Sequence, residues 1–508
     1  MSGALSNPPQ EGPGADQTAA ATVPNRPNLP GRIFQNAVVN IVGRGLALVF
    51  SAGATAVLAR YLGSEKLGQY GAIYAYLSLF AWMATFGFEP VLVREISRER
   101  GNASHLVRTA MILSLLLSTG TVAVAVALSP IADYRGHLRA LLILAGLEYV
   151  LIPLRLPGVI FQVEMRQWYG AAINVFRQGI WFAMIIALWV LGAPLSYVIA
   201  ARVLAALVES LLIWGYSRQF IEESGRFLRE RAATLFSQSF PIAFTSLLAM
   251  IYLRIDQVML HKMVSDSVLG QYVAAVKVSE LIESLPTALM FTLTPILSVS
   301  VIEPERFRNQ VDRAFRYFML LSCALCVFMT VGGGLVIHVL YGNEFSSAVP
   351  LLAVLIWSEI AVFFASVVVN VLIARNEQRL LPIPTLVGAA INVALNLVFI
   401  PRYAAVGAAW ATLISYTAAW MVALLFFKRT RSLTMQGLRY ALPIGAMALL
   451  AVACSKIVPF SGVRPLAACV FFLAVAWLTR FVRASDLEYV SAAGKQSFRT
   501  VSNRMAGQ

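Results

Sequence analysis

Several ionised side chains of this sequence lie inside long apolar stretches, where a charge is costly. The stretch from Met250 to Glu283 (MIYLRIDQVMLHKMVSDSVLGQYVAAVKVSELIE) is typical of an apolar helix, a short polar turn and the start of a second apolar helix. Within these two apolar helices the charged residues are Arg254, Asp256, Lys277, Glu280 and Glu283. A charge at the centre of a bilayer costs roughly 3 kcal/mol on insertion scales and usually faces a cavity or a partner. Transport is the leading reason to retain charge at this density.

The spacing within this stretch predicts one ion pair and places two further charges on a common helix face. Asp256 lies about five residues inside its helix and Lys277 about nine residues into the next, so at ~1.5 Å per residue their depths differ by about one turn. A lysine side chain spans that distance, and we predict an Asp256–Lys277 pair. Lys277 and Glu280 share a helix face at i,i+3. Glu359 stands alone in a later apolar segment.

The first half of the chain has its own set of charges in apolar segments. Asn36, Asn40 and Arg44 recur at steps of four, which aligns them on one helix face. Three further arginines lie well inside apolar segments, namely Arg155, Arg177 and Arg202. Three acids of the same half could neutralise some of them, namely Glu89, Glu148 and Glu209.

The sequence gives little support to an enzyme. We find no Ser/His/Asp set, no cluster with metal-ligand spacing and no paired catalytic carboxylates, so we predict no metal and no cofactor other than a coupling H⁺ or Na⁺. Cys323 and Cys326 form a CxxC within an apolar segment. Without other ligands nearby, we interpret them as buried thiols that behave as small hydrophobic groups.

Composition indicates an all-α, polytopic membrane protein. Of 508 residues, 59% are hydrophobic and only 13% are charged, whereas a soluble domain carries about 25% charge. The net charge of +15 follows from basic residues in the loops, so we expect no nucleic-acid partner. With ~20 residues for each crossing we count about fourteen transmembrane helices. The segments are roughly 34–60, 69–91, 107–130, 138–163, 168–192, 195–217, 233–261, 268–300, 312–341, 349–373, 382–400, 405–427, 435–457 and 463–482.

The connections between segments predict the topology. Every second connection is basic, as in the stretch from Arg218 to Arg231, and the positive-inside rule places these connections in the cytoplasm. An even number of helices then puts both termini there. Residues 1–32 are rich in Pro, Gly, Ala and Ser and predict a disordered cytoplasmic tail. We expect a second cytoplasmic tail at 484–508.

Two strings occur twice along the chain. Leu-Gly-Gln-Tyr at 67–70 returns at 269–272, and Gly-Ala-Ala-Ile-Asn-Val at 170–175 returns at 388–393, with offsets of 202 and 218 residues. Internal repeats are common in transporters. We therefore predict two six-helix lobes of the same orientation at 33–217 and 233–427, joined by a linker at 218–232. Residues 428–483 would add two helices outside the repeat.

Three groups of motifs follow one another in a familiar order. They are Ala59-Arg60-Tyr61-Leu62-Gly63 with Gly68-Gln69-Tyr70; Asp256-Gln257-Val258-Met259-Leu260 with Gly270-Gln271-Tyr272, Ala275, Lys277 and Glu280; and Asn392, Leu395-Asn396, Ile400-Pro401-Arg402-Tyr403 and Gly407-Ala408-Ala409. From residue 34 to about residue 480 the chain resembles the polysaccharide-export branch of the multidrug/oligosaccharidyl-lipid/polysaccharide (MOP) flippase superfamily. One departure is Ala404, where that family usually has glycine.

The resemblance implies a fold and a substrate. It implies two pseudo-symmetric six-helix bundles that face a central cavity, with two additional C-terminal helices. It also implies that a polyprenyl-pyrophosphate-linked oligosaccharide passes from the cytoplasmic to the outer leaflet of the bacterial inner membrane, by rocking of the two halves. The expected partners are the lipid-linked sugar, membrane lipids, and a polysaccharide polymerase with its export machinery.

On this hypothesis the buried charges divide into two sets. A pyrophosphate is a concentrated anion that guanidinium groups match well. The residues assigned to contact with the headgroup or sugar are Asn40, Arg44, Arg155, Arg177, Arg202, Arg254 and Lys277. Those assigned to a coupling ion, or to charge pairs with the cations, are Asp256, Glu280 and Glu359.

Three other functions compete with this one. A cation-coupled exporter of drugs or metabolites could use the same fold, although its cavity should be acidic or apolar. A flippase for the peptidoglycan precursor would share the headgroup chemistry. A non-transporting membrane partner of a glycan polymerase would tolerate neutral residues at its buried charges.

Overall fold

Helices and short helical turns make up the secondary structure of the part of the chain described by the computed structural model, which confirms the all-α prediction. That part comprises residues 29–221, 225–458 and 462–481, without the side chains of 29–41, 291–292, 295–296 and 299. Most of the predicted N-terminal tail and the whole of the C-terminal tail lie outside it. The side chains of Asn36 and Asn40 also lie outside it.

The helices follow the predicted plan closely. Those of the first lobe are α1 (Leu29–Ser78), α2 (Ala81–Thr85), α3 (Phe88–Arg98), α4 (Ala103–Leu128), α5 (Gly136–Val150), α6 (Val159–Val163), α7 (Trp168–Leu191) and α8 (Leu195–Ser217). Those of the second lobe are α9 (Arg229–Met263), α10 (Asp266–Ser300), α11 (Pro304–Tyr341), α12 (Ala348–Leu355), α13 (Ser358–Ala374) and α14 (Pro382–Thr417). The two additional helices are α15 (Lys428–Ser455) and α16 (Arg464–Leu478).

Ten helical stretches of the described chain are long and apolar enough to cross a membrane. The protein is therefore a multi-pass membrane protein, while the count of fourteen crossings stays a prediction. Two long helices each join two of the predicted segments across a kink. In α1 the kink lies at Gly63, with φ of 69°, and in α14 it lies at Ala404, with φ of 50°. Positive φ suits glycine and strains alanine.

The repeated strings occupy equivalent places in the two lobes. The Leu-Gly-Gln-Tyr copies at 67–70 and 269–272 follow the kink of α1 and open α10. The copies at 170–175 and 388–393 lie near the starts of α7 and α14, and α7 packs on α1 as α14 packs on α9. The lobes are thus pseudo-symmetric, as predicted, while six crossings in each lobe stay a prediction. The exact domain boundaries stay predictions.

The lobes are joined at the end of the helices that contains Gly63. Arg60 of α1 donates hydrogen bonds to the carbonyl oxygens of Val339 (2.5 Å) and Leu340 (3.0 Å) at the end of α11. The backbone N–H of Ser64 donates to Glu344 Oε1 over 2.6 Å. The two bonds from Arg60 satisfy carbonyl groups that the end of α11 leaves without partners. We call this end the Gly63 end.

A second set of contacts joins the lobes at the opposite end. The rings of Phe86 and Phe236 stack with centroids 4.4 Å apart. Arg231 Nη2, near the start of α9, donates to Glu99 Oε2 over 2.9 Å. Hydrogen bonding from Asn102 and the charge of Arg231 hold the pKa of Glu99 below its usual value. The start of α9 is thereby attached to the first lobe at this end.

Candidate functional site

A chamber of about 430 Å³ lies between the two lobes. Its walls come from α1, α5, α7 and α8 on one side and from α9, α10 and α11 on the other. Four of the basic residues singled out from the sequence line it, namely Arg177, Arg202, Arg254 and Lys277. Charges that are 75 or more residues apart along the chain, such as Arg202 and Lys277, therefore meet at one space.

Arg202 is held at the chamber wall by three neighbours. Its Nε donates to Glu148 Oε2 over 3.0 Å, and its Nη1 donates to the hydroxyl oxygen of Tyr70 over 2.6 Å. Its guanidinium carbon lies 3.8 Å from the ring centroid of Tyr74, a cation–π contact. These contacts fix the side chain of Arg202 in position, and it still lines the chamber.

Glu209 of α8 serves two arginines at once. Its carboxylate lies 3.3 Å from Arg155 Nη1 and 3.1 Å from Arg177 Nε. Arg155 Nε also donates to Ser210 Oγ over 3.1 Å. Arg155 Nη2 has no hydrogen-bond acceptor among the residues that the structure describes. Arg155 itself is not part of the chamber lining.

Glu280 of α10 has the same double role in the second lobe. Arg254 Nη1 donates to Glu280 Oε1 over 2.6 Å, and Lys277 Nζ donates to Glu280 Oε2 over 2.7 Å. Lys277 and Glu280, which the sequence placed on one helix face, therefore form an ion pair.

The predicted Asp256–Lys277 pair is wrong. Asp256 is buried, accepts a hydrogen bond from the hydroxyl of Tyr272, and accepts another from the backbone N–H of Gln257 over 2.7 Å. Lys277 instead reaches along its own helix to Glu280, at the chamber. Similar depth in the membrane is not enough to form this pair, because the side chain of Asp256 faces the interior of the second lobe.

The network around the chamber has more cations than anions. Five basic side chains share three carboxylates, which gives a formal excess of two positive charges. The carboxylates are those of Glu148, Glu209 and Glu280. Two of the three are divided between two cations each. An anion that entered the chamber would therefore meet cations whose charge is only partly compensated.

A smaller acidic cavity of about 130 Å³ adjoins this network within the second lobe. It is lined by three further carboxylates, those of Asp256, Glu283 and Glu359. Ser279 Oγ donates to Glu359 Oε1 over 2.7 Å, while Glu359 Oε2 has no partner among the described residues. Arg254 and Glu280 line both the chamber and this cavity, so they connect the two spaces.

Some residues that the sequence suggested lie elsewhere. Arg44 is exposed on α1 and is not part of the chamber lining, and the side chain of Asn40 lies outside the described residues. Glu89 accepts a hydrogen bond from Gln162 Nε2 over 2.8 Å. The prediction of arginine partners thus agrees with the structure for Glu148 and Glu209, and for Glu89 the structure shows Gln162 instead.

Other lining residues were not anticipated. Tyr70, Tyr74 and Tyr149 line the chamber together with Trp181, and Glu283 lines the acidic cavity. Tyr70 belongs to the repeated string, and Tyr74 follows one helical turn later on the same face. Among the described residues, no group of three or more His, Cys, Asp or Glu side chains could hold a metal ion.

Two lobes related by a repeat, with a charged chamber between them, are typical of a membrane transporter. Residues 33–301 match the family model described as "Polysaccharide biosynthesis protein". Because the match extends over more than half of the chain, the protein belongs to this family.

Curated relatives are found in the archaeon Haloferax volcanii. The chain is 24% identical over 387 residues to the "Probable low-salt glycan biosynthesis flippase Agl15". This alignment covers 75% of this chain and 79% of the relative. It is 26% identical over 263 residues to the "Probable flippase AglR", which covers 50% of this chain and 53% of the relative.

Solved structures share the fold. Lipid II flippase MurJ in an inward closed conformation superposes with a TM-score of 0.67 at 14% identity, over 88% of this chain and 99% of that one. An inward-facing multidrug resistance MATE family transporter of the MOP superfamily superposes with a TM-score of 0.64 at 14% identity, over 79% of this chain and 99% of that one. At these identities the likeness concerns the fold alone.

Proposed function

We propose that the protein is a flippase that moves a polyprenyl-pyrophosphate-linked oligosaccharide from the cytoplasmic to the outer leaflet of the bacterial inner membrane. The observation that carries the proposal is the excess of cations over carboxylates around the chamber between the lobes. A pyrophosphate headgroup is a compact anion, and arginine presents a planar fork that bonds two phosphate oxygens at once.

Headgroup binding is an exchange of partners. In the empty chamber Glu209 and Glu280 each hold two cations, which limits the cost of burying those charges. The arriving pyrophosphate takes over part of this role and bonds Arg177, Arg202 and Lys277. The polyprenyl tail stays in the bilayer while the headgroup is inside. The roles assigned to Asn40 and Arg44 rest on the resemblance described above and not on the chamber.

Movement across the membrane follows from rocking of the two lobes. With both termini in the cytoplasm, the Gly63 end faces outward, and the bonds of Arg60 and Glu344 close it. Release to the outer leaflet requires those bonds to break. The contact between Phe86 and Phe236 joins the lobes at the cytoplasmic end in the same structure. Entry of lipid from the inner leaflet therefore requires that contact to break while the Gly63 end stays closed.

The acidic cavity supplies the coupling site. A buried carboxylate that lacks a cation is costly, and a bound H⁺ or Na⁺ removes that cost. Asp256 and Glu359 lie in the cavity, and Glu280 lies at its boundary with the chamber. Ion binding there changes how strongly Glu280 holds Arg254 and Lys277, and so links the ion to the headgroup.

The names of the curated relatives support a lipid-linked glycan as the substrate. Export of organic cations, the competing function, does not suit a chamber with excess positive charge. A peptidoglycan-precursor flippase would share the pyrophosphate chemistry. A polysaccharide polymerase and export machinery remain the expected partners.

Depletion of the protein in its own cells tests the proposal. We expect a polyprenyl-pyrophosphate-linked oligosaccharide to accumulate on the inner leaflet, measured by lipid extraction and mass spectrometry of inside-out vesicles. The sugar found there identifies the substrate and separates a polysaccharide unit from the peptidoglycan precursor. Unchanged lipid-linked sugars, together with reduced efflux of a cationic dye, would contradict the proposal and favour an exporter.

A further inference from the structure

Two glutamine side chains line the chamber from opposite lobes, Gln178 on α7 and Gln257 on α9. Neither amide forms a hydrogen bond with a described residue. Gln257 is only 4% exposed, and its backbone N–H, unlike its side chain, is bonded to Asp256. Amide groups that are removed from water and left unpaired cost free energy. The two amides therefore indicate a polar ligand in the space between the lobes.

An aromatic side chain accompanies these amides on the wall of the chamber. Trp181 follows Gln178 by three residues on the same face of α7, lines the chamber and is 9% exposed. Its indole N–H has no acceptor among the described residues. Each amide offers both donors and an acceptor, while the indole combines an apolar ring with one donor. This combination suits a sugar ring, which has apolar C–H faces and hydroxyl groups around its edge.

The neutral side chains lie next to the arginines of the same two helices. Both helices run towards the Gly63 end, where the residues just past them contact α1. On α7, Trp181 lies one turn, ~6 Å, closer to that end than Arg177. On α9, Gln257 lies three residues closer to it than Arg254. A group attached to a pyrophosphate bound by these arginines can therefore reach the neutral side chains on the side of the Gly63 end.

The charges around the chamber favour an uncharged sugar. A pyrophosphate diester has one ionised oxygen on each phosphorus, which matches the formal excess of two positive charges in the network. An acidic sugar would add a carboxylate that no remaining cation compensates. Burial of such a charge is costly. An uncharged sugar meets side chains that need only hydrogen bonds.

We propose that Gln178, Trp181 and Gln257 form a subsite for an uncharged pyranose, the sugar attached directly to the pyrophosphate. The amides bond its hydroxyl groups, and the indole packs on its C–H groups and donates its N–H. Because the two amides belong to different lobes, the sugar is held by both lobes at once. The subsite selects the glycan, while the cations hold the pyrophosphate that all such lipids share. This inference rests on the proposed function.

Binding of defined lipids by the purified full-length protein in detergent tests the inference. The probes are polyprenyl pyrophosphate and its esters with glucose, galactose, N-acetylglucosamine and glucuronic acid. We expect wild type to bind the tightest of the uncharged esters at least about tenfold more tightly than the glucuronic acid ester. Gln178→Leu/Gln257→Leu keeps the side-chain volume and removes the hydrogen bonds. It should bind that uncharged ester about tenfold more weakly and polyprenyl pyrophosphate as wild type does.

A second variant and a control accompany this pair. Trp181→Phe keeps an aromatic ring and removes the indole N–H, so it should weaken binding of the same ester several-fold and leave polyprenyl pyrophosphate unaffected. Gln436→Leu removes an amide of α15 that bonds the carbonyl oxygen of Arg308 outside the chamber, and should behave as wild type.

The outcomes separate the subsite from the headgroup site. Unchanged affinity for the uncharged ester in either folded variant would overturn the inference, as would a wild-type preference for the glucuronic acid ester. Equal losses for the ester and for polyprenyl pyrophosphate would also overturn it, since the residues would then only shape the chamber. Tight binding of pyrophosphate lipids by wild type would leave the proposed function standing in each case. If wild type bound them no more tightly than uncharged polyprenol, the proposed function would fail and the inference with it.

Discussion

Gly68 and Gly270 pack on each other's turns across the boundary between the two lobes. A Cβ at Gly68 would overlap the carbonyl oxygen of Asp266, and one at Gly270 would overlap that of Ser64. Ser64 and Asp266 are 202 residues apart, as the two glycines are. The contact is therefore reciprocal, as at a two-fold axis. The repeated string forms the closure of the Gly63 end from both sides.

Substitution of this glycine should weaken the closure. Gly270→Ala adds a methyl group against the backbone of α1, which cannot move aside as a side chain can. Ser64 Oγ and Ser267 Oγ lie 2.9 Å apart at the same place, so Ser64→Cys/Ser267→Cys should cross-link readily under oxidation. We expect Gly270→Ala to reduce the extent of cross-linking several-fold, measured by gel mobility.

Gly445→Ala is the control for this experiment, since a Cβ there meets open space. It should leave cross-linking unchanged. Full cross-linking in the Gly270→Ala background would show that the closure tolerates the extra atom, and that the reciprocal contact does not determine it.

The sequence predicted what depends on local spacing. The repeat at 67–70 and 269–272 indicated the two lobes. The i,i+3 spacing of Lys277 and Glu280 placed both side chains on one helix face, where they pair. The sequence failed where the answer depends on how two helices are rotated. Asp256 and Lys277 lie at similar depths, but their side chains point in different directions. Only the packed structure shows that Asp256 is hydrogen-bonded to Tyr272.

The candidate site, like the fold, was predicted only in part. The free-energy cost of a charge inside the membrane was enough to indicate Arg177, Arg202 and Arg254, because charged residues within apolar segments are rare. The tyrosines beside Arg202 carry no such signal, since aromatic residues are common in any membrane helix. Arg44 is the opposite case. The polar stripe on α1 suggested a functional residue, but the sequence could not show that Arg44, the last residue of the stripe, is exposed.

Ala404 stores conformational strain at the kink of α14. Its φ of 50° and ψ of −133° lie in a region that glycine adopts and other residues avoid. We expect Ala404→Gly to stabilise the protein by about 1 kcal/mol, measured as an increase in melting temperature in detergent. Ala451→Gly, in the regular part of α15, should destabilise by a similar amount. A decrease in melting temperature for Ala404→Gly would contradict this geometry.

Glu209 should matter to stability more than an exposed acid does. Glu209→Gln leaves Arg155 and Arg177 without their shared carboxylate, and loss of one partner of a buried pair costs about 3 kcal/mol. We expect a clear fall in melting temperature in detergent. Glu303→Gln is the control, because its pair with Arg306 is exposed and contributes little. Equal melting temperatures for the two variants would show that the arginines are compensated elsewhere.

Glu359 should be needed to couple an ion to headgroup binding and transport. Glu359→Gln keeps an oxygen to accept the hydrogen bond of Ser279 but cannot take up a proton or neutralise a cation. We expect loss of gradient-driven flipping in proteoliposomes, assayed separately with H⁺ and Na⁺ gradients, and an affinity for lipid that no longer changes with pH or Na⁺ concentration. The control is Glu305→Gln on an exposed position. Wild-type flipping by Glu359→Gln under both gradients would remove this residue from the coupling site.

The binding of polyprenyl pyrophosphate by Arg202 and Glu148 variants tests the central claim most directly. If the chamber cations bind the headgroup, Glu148→Gln should bind this lipid at least as tightly as wild type, because Arg202 loses a competing partner. Arg202→Gln and Arg202→Gln/Glu148→Gln should both bind about tenfold more weakly. Uncharged polyprenol should not distinguish the variants. Wild-type affinity in the double variant would show instead that Arg202 serves only to pair with Glu148, and would contradict the account.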